Sequence, residues 1–144
     1  MSTAAKNTLR LVLDTNIYIS AFSHQRGVPF HLWQHAAARS FVVLISPPIM
    51  QEVARVLRNK MHIDEPGIVA RLKLIATVAQ IVSPSIRLKV FAGTMEADNR
   101  VLECALQGKA DLIVSGDNDL QRLKIFEKIP IIRPVDALRI FSPL

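Results

Sequence analysis

Apolar residues in this chain fall into short unbroken runs separated by longer stretches with helical spacing. Leu9–Leu13, Phe41–Ile45 and Leu112–Ser115 are the strongest runs. They show no period-2 alternation, which suits strands covered on both faces of a parallel sheet. Ile81-Val82 and Ile131-Ile132 add two shorter strands. Helical patterns run from Asn16 to about Ser23 and, after a loop at His24–Pro29, from Pro29 or Phe30 to Arg39. Ser46 caps a third helix that begins with Pro47-Pro48, where proline forfeits no hydrogen bond. That helix carries Ile49, Val53, Val56 and Leu57 on one face and Arg55 and Arg58 on the other. Asp64 and Pro66 open a helix to about Ala79, and Asp98 opens one to Leu106 that Gly108 closes. A short helix follows Asp117, and Pro134 starts a last one to Phe141. Between Pro84 and Gly93, Ile86, Leu88 and Val90 alternate with Arg87 and Lys89, the pattern of a half-exposed strand or extended edge. Strands alternating with helices predict an α/β three-layer sandwich around a mostly parallel central sheet. The 144 residues suit a single domain with its core at about 9–141.

The strands end on acids. The first stops at Asp14, followed by the small polar residues Thr15 and Asn16. The Leu112 run leads through Ser115-Gly116 into Asp117 and Asp119. Ligands of open α/β sheets bind at this carboxyl edge. Glu52 lies one turn into the helix after the second strand, and Asp98 in the first turn of the helix before the Leu112 strand. Carboxylates brought together there repel one another and have their pKa raised. A divalent cation removes that penalty, and Mg²⁺ and Mn²⁺ favour oxygen ligands. Each acid also has a plainer role. Asp14, Asp98, Asp117 and Asp119 can cap helices, and Glu52 can interact with a helix dipole.

Charge adds to this picture. The chain carries 18 Lys and Arg, 12 Asp and Glu and a net charge of +6. If five of the twelve acids share one pocket, the seven that remain face 18 basic residues, which makes an acidic hole in a basic surface. That suits a metal-dependent enzyme acting on a phosphate backbone. Arg55, Arg58 and Lys60 beside Glu52, and Arg122, Lys124 and Lys128 after Asp119, are the candidates for phosphate contact. No apolar run reaches membrane-span length. The absence of an apolar h-region near the N-terminus and the single cysteine, Cys104, fit a cytoplasmic protein with no disulfide framework. Cys104 reads as a small core residue. His31 and His35 have the i, i+4 spacing of a metal pair but no third ligand, so a surface or packing role is expected, with Trp33 between them in core or interface.

LVLDTNIYISA, PPIMQEVARVL, EADNRVLECAL and KADLIVSGDNDL, in this order, resemble a PIN domain of the kind found as toxins of bacterial toxin–antitoxin pairs (VapC-like). The resemblance covers about Leu9 to Phe141. It implies a Mg²⁺- or Mn²⁺-dependent ribonuclease in which Asp14, Glu52, Asp98 and Asp117 form the catalytic pocket. Asp14, Asp98, Asp117 and the accessory acid Asp119 would serve as metal ligands, with Asn16 and Ser115 assisting. Relatives often carry further aspartates just before the Asp98 position. Here the run is Thr94-Met95-Glu96-Ala97, and Glu96 is the acid that would stand in. RNA as substrate, a cognate antitoxin and a homodimer follow from the same resemblance. Two other function classes compete. One is a catalytically weak or inactive PIN-fold module that binds RNA or protein. The other is an aspartate-nucleophile phosphatase, disfavoured because Asn16 stands where such enzymes need a second aspartate.

Overall fold

The computed structural model describes residues 8–142; residues 1–7, on which the expectation of no secretory signal rests, lie outside it. Six strands form one sheet: β1 (Arg10–Leu13), β2 (Val42–Ile45), β3 (Gln80–Ile81), β4 (Leu112–Val114), β5 (Ile125–Phe126) and β6 (Ile129–Ile132). Their order is β3-β2-β1-β4-β6-β5, and all pairs are parallel except β5 with β6. Among the described residues, seven α-helices flank the sheet: α1 (Thr15–Ser23), α2 (Val28–Ala37), α3 (Pro47–Asn59), α4 (Glu65–Val78), α5 (Ala97–Gln107), α6 (Asn118–Leu123) and α7 (Pro134–Phe141). This is the predicted three-layer α/β sandwich. Chain order reverses direction between β1 and β4: from β1 the sheet first grows towards β2 and β3, then towards β4 and β6. A crevice opens at such a switch point, outside the carboxyl ends of the strands.

The uniformly apolar runs are the buried strands. Leu11, Val12 and Leu13 of β1, Val43, Leu44 and Ile45 of β2, and Ile113 and Val114 of β4 are all essentially inaccessible. α5 lies over β1, β2 and β4 and contributes Val101, Leu102, Cys104 and Ala105 to the same core. Cys104 is buried as expected, and burial pushes its thiol up to about 12. Trp33 is a core residue, edge-on to both Tyr18 and Phe22, and so ties α2 to α1. His31 faces Gln34, while His35 sits between the hydroxyls of Ser40 and Ser142, so both imidazoles serve surface packing. Gly108 closes α5 at φ −82°, in the right-handed region. Glycine is needed there for close approach. A Cβ would stand 2.9 Å from the Cys104 carbonyl and 3.0 Å from side chains of Leu44 and Val82.

Two segments depart from expectation. Residues 83–92 form no strand. Ile86 and Leu88 are partly buried and Arg87 and Lys89 exposed, as the alternation predicts, but Val90 is exposed and no strand pairs with the segment. Side chains of α5 take the place of a ladder. Asn99 accepts from the Phe91 N–H and donates to the Phe91 carbonyl, both at 2.8 Å, and Glu103 accepts from the Leu88 N–H at 2.7 Å. Asn99 and Glu103 are buried, and these bonds account for polar groups inside the core. The second departure is β5, which pairs with β6 as a hairpin. Its two turn residues, Glu127 and Lys128, both have positive φ, 49° and 68°. Tight two-residue hairpin loops of this kind normally signal themselves with Asn-Gly or Asp-Gly. The Glu-Lys pair gives no such signal.

Candidate active site

β1 and β4 run side by side, and the Asp14 N–H donates to the Val114 carbonyl at 3.0 Å, so the two strand ends stay in register as they leave the sheet. The residues beyond them form a connected polar chain. Asp14 caps α1: its Oδ1 accepts from the N–H groups of Asn16 (2.9 Å) and Ile17 (3.4 Å). Its Oδ2 accepts a short hydrogen bond from the Ser115 hydroxyl. Ser115 Oγ in turn accepts from the Asp117 N–H at 2.9 Å. Asp117 Oδ1 then caps α6, accepting from Asp119 N–H (2.7 Å) and Leu120 N–H (3.1 Å). Asp14 and Ser115 are 4% and 0% exposed, so the first acid is held in place by a fully buried hydroxyl.

A cleft of about 270 Å³ lies over this chain. Asp14, Asn16, Glu52, Asp98 and Asp117 line it, together with Arg55 and Lys60 at its rim. The carboxyl groups act on one another. Asp14 is raised to about 6, mainly by burial and further by the charge of Asp117, against the pull of its three hydrogen bonds. Asp98, the second residue of α5, is raised to about 7 by burial and then by repulsion from Asp117, Asp14 and Asp119. Like charges in partial burial behave in this way, and a cation set among them reverses the effect.

The predicted site residues divide. Asp14, Asn16, Glu52, Asp98, Asp117 and Arg55 face the cleft, with Ser115 directly behind Asp14. Asp119 stands back from it and pairs with Arg122 at 2.8 Å. Arg58 turns away and forms a two-point contact with Glu65. Lys124 is the C-cap of α6 at φ 59° and does not line the cleft. Glu96 lines an adjoining hollow, not the cleft itself. Glu52 is joined to Arg55 through its Oε1, at 2.9 Å from Nε. Sequence spacing did not single out Thr15 and Val101 as cleft residues or Asn99, Glu103 and Arg100 as the anchors of residues 83–92. For Asn99, Arg100 and Glu103 the signal was polar residues on the otherwise apolar inner face of α5.

As a donor set, these side chains suit a hard divalent cation: oxygen donors only, with Asp98 and the second oxygens of Asp117 and Glu52 making no hydrogen bond among the described residues. As they stand, no three His, Cys, Asp or Glu side chains among the described residues are grouped closely enough to hold an ion. The charge balance of the cleft nonetheless fits a cation, because two of its acids resist ionisation without one.

A family model described as "PIN domain" matches residues 10–119, a span that takes in every acid from Asp14 to Asp119. The chain belongs to the PIN domain family. An uncharacterized protein of Methanocaldococcus jannaschii, MJ1680, is 29% identical over 128 residues, covering 86% of this chain and 81% of that protein. Two solved structures share the fold at 14% identity. PAE2754 from Pyrobaculum aerophilum has a TM-score of 0.63, covering 95% of this chain and 91% of its own. VapBC2 from Rickettsia felis, bound to a DNA fragment from the VapBC2 promoter, scores 0.62, covering 87% and 98%. The PIN domain endonuclease Utp24 scores 0.53 at 21% identity, covering 86% of this chain and 84% of its own. The architecture is thus a PIN fold. Among the described residues, no helix is long and apolar enough to cross a membrane.

Proposed function

We propose that this PIN domain, one domain spanning about residues 9–141, is an endoribonuclease that hydrolyses RNA phosphodiester bonds and serves as the toxin of a toxin–antitoxin pair. The observation that carries the proposal is the pair of raised carboxyls, Asp14 and Asp98, facing Asp117 in a cleft at the switch point of the sheet and rimmed by Arg55 and Lys60. Asp14, Asp98 and Asp117 would hold Mg²⁺ or Mn²⁺, with Asp119 available at the margin. When bound, such a cation supplies an activated water and neutralises charge at the phosphate. Ser115 and the N–H groups of Asn16 and Ile17 fix the orientation of Asp14. Glu52 completes the catalytic set, and Arg55 and Lys60 receive the flanking phosphates. The partners would be RNA and a cognate antitoxin whose basic side chain enters the acidic cleft. A homodimer and a cytoplasmic location agree with this role.

One observation favours a second reading, a PIN-fold module that binds RNA or protein without cutting it. Glu52 is tied to Arg55, and the acids stand too far apart to form a ready ligand set. One experiment separates the two. The nuclease cleaves single-stranded RNA with Mn²⁺ or Mg²⁺, stops with a chelator, and is inactive as Asp14→Asn although still folded. Cleavage that survives both treatments, or binding without cleavage in the wild type, overturns the nuclease. For the toxin role, expression should arrest growth of the host cell, Asp14→Asn should not, and co-expression of the neighbouring reading frame should restore growth.

A further inference from the structure

Beyond Glu52 the cleft opens into a second, solvent-open hollow of about 170 Å³. Its lining includes Thr15, Pro48, Ile49, Glu52, Glu96 and Arg100, and Thr15 and Glu52 belong to both spaces. Pro48 and Ile49 make an apolar wall. The polar groups facing them are of both signs and are incompletely engaged. The Glu96 carboxylate has no hydrogen bond or ion pair among the described residues. Glu52 keeps Oε2 free once Arg55 has taken Oε1. Arg100 directs Nη2 to the Leu88 carbonyl (3.3 Å) and to Glu103 (3.1 Å), while its Nε is buried with no partner.

We infer that this hollow is a base-recognition subsite and that the base it is built for is guanine; the inference rests on the nuclease reading and names the nucleotide held beside the scissile phosphate. Two carboxylates exclude a phosphate from the hollow, and Arg100 disfavours a simple cation. An uncharged, planar group that carries both donors and acceptors satisfies both signs at once. Guanine presents N1–H and N2–H₂ side by side, matching the two oxygens of one carboxylate, with O6 beside them as an acceptor for a single guanidinium N–H. Adenine and cytosine offer a single amino group to the carboxylate, and uracil a single imino N–H. Each would leave a group of the hollow unpaired, which is costly away from water. Single-stranded RNA is read in this way, by a base turned out of the strand into a pocket that meets its edges.

The test uses the full chain as Asp14→Asn in EDTA, so that RNA is bound but not cut. The probes are fluorescently labelled oligouridylates whose central base is U, C, A or G. The guanine strand should bind at least about fivefold tighter than the others. Inosine, which lacks the N2 amine, should return part of that gain. This change lies in the RNA and cannot unfold the protein. Adding Glu96→Gln should remove the preference for guanine, with circular dichroism confirming the fold. Equal binding of all four strands, or a guanine preference untouched by Glu96→Gln, overturns the subsite. If wild-type protein still cleaves RNA with Mn²⁺ in that case, the nuclease stands and the subsite alone is wrong. If no strand binds and no RNA is cut, both fall.

Discussion

Asp14→Asn in metal-free protein should be mildly destabilising at pH 4 and stabilising at pH 8. Asp14 is buried and its pKa is raised from 3.8 to about 6, so the folded protein holds this proton to higher pH than the unfolded chain does. A carboxyl raised in this direction makes stability fall as pH rises above about 4, and the fall levels off above about 6. The raised pKa corresponds to about 3 kcal/mol, as an upper estimate. The variant has nothing to ionise at this position. Its Oδ1 keeps the two amide bonds from Asn16 and Ile17, while its Nδ2 replaces the oxygen that accepts from Ser115. That exchange costs about 1 kcal/mol, the worth of one neutral hydrogen bond. The variant should therefore trail slightly at pH 4 and lead by about 2 kcal/mol at pH 8. Asp98 titrates in the same direction in both proteins, less strongly in the variant because Asp14 is one of the charges that raise it. Thermal melts in EDTA across pH 4–8 read the difference as a relative swing of about 6–12 °C for a chain of this size. Parallel curves would refute the argument and leave Asp14 as an ordinary helix cap.

Adding Mn²⁺ at pH 8 should raise the melting temperature of the wild type, by the equivalent of about 2.7 kcal/mol at a hundred times Kd, and should do much less for Asp14→Asn or Asp117→Asn; equal shifts would count against a shared site. Arg55→Ala should weaken RNA binding and lower the salt dependence by about one phosphate contact, whereas Arg58→Ala, which lies outside the cleft, should change neither in a filter-binding titration. Asn99→Ala removes both partners of the Phe91 backbone and should cost about 2–4 kcal/mol in denaturant melts, with faster proteolysis within residues 83–92. Replacing Glu127-Lys128 by Asn-Gly should stabilise the β5–β6 hairpin by about 1 kcal/mol, because both residues sit at positive φ that asparagine and glycine adopt more readily.

What could be read from the sequence followed from local physics. Runs such as LVL and VVLI are legible because a strand buried on both faces has no polar positions to confuse the pattern, and the proline- and serine-marked helix starts are legible because capping is local. Asp14 and Asp117 stand out because an acid at the end of such a run is a discontinuity. The features that escaped are long-range or unusual. Residues 83–92 alternate like a strand, but whether a strand pairs depends on a neighbour, and here α5 supplied Asn99 and Glu103 instead. The hairpin turn at Glu127-Lys128 uses residues that do not announce positive φ. Arg58 and Arg55 look equivalent three residues apart on one helix and both are ion-paired, but Arg55 pairs with Glu52 at the cleft whereas Arg58 is drawn away to Glu65 of α4. Glu96, expected to replace a missing acid of the cleft, lies just far enough back to line the neighbouring hollow.

Capping and a place in a binding cleft are usually set against each other as explanations for a strand-end acid, and in this molecule one arrangement gives both. Asp14 Oδ1 accepts from Asn16 and Ile17 because the residue after a buried strand must satisfy the first amides of the next helix. The same bonds fix the carboxylate at the switch point, where the sheet itself opens the cleft. Ser115 adds the link that capping alone would not require: it donates to Asp14 and accepts from the Asp117 amide, so the ends of β1 and β4 are positioned by one buried hydroxyl. Ser115→Ala is therefore the substitution that separates the two functions. It leaves both caps intact, because Asp14 Oδ1 and Asp117 Oδ1 do not depend on it, but it frees the second oxygen of Asp14 and the Asp117 N–H. If Asp14 served only as a cap, α1 and α6 would be unchanged and stability would drop by about the 1–3 kcal/mol of an unpaired buried group. If the pair forms a cation site, the variant should also lose part of its Mn²⁺-induced stabilisation, because an acid no longer held on both oxygens must be ordered again when the ion binds. Melts of Ser115→Ala with and without Mn²⁺, beside the wild type, measure that second loss, and an undiminished metal shift would show that Ser115 does not position the acid for an ion.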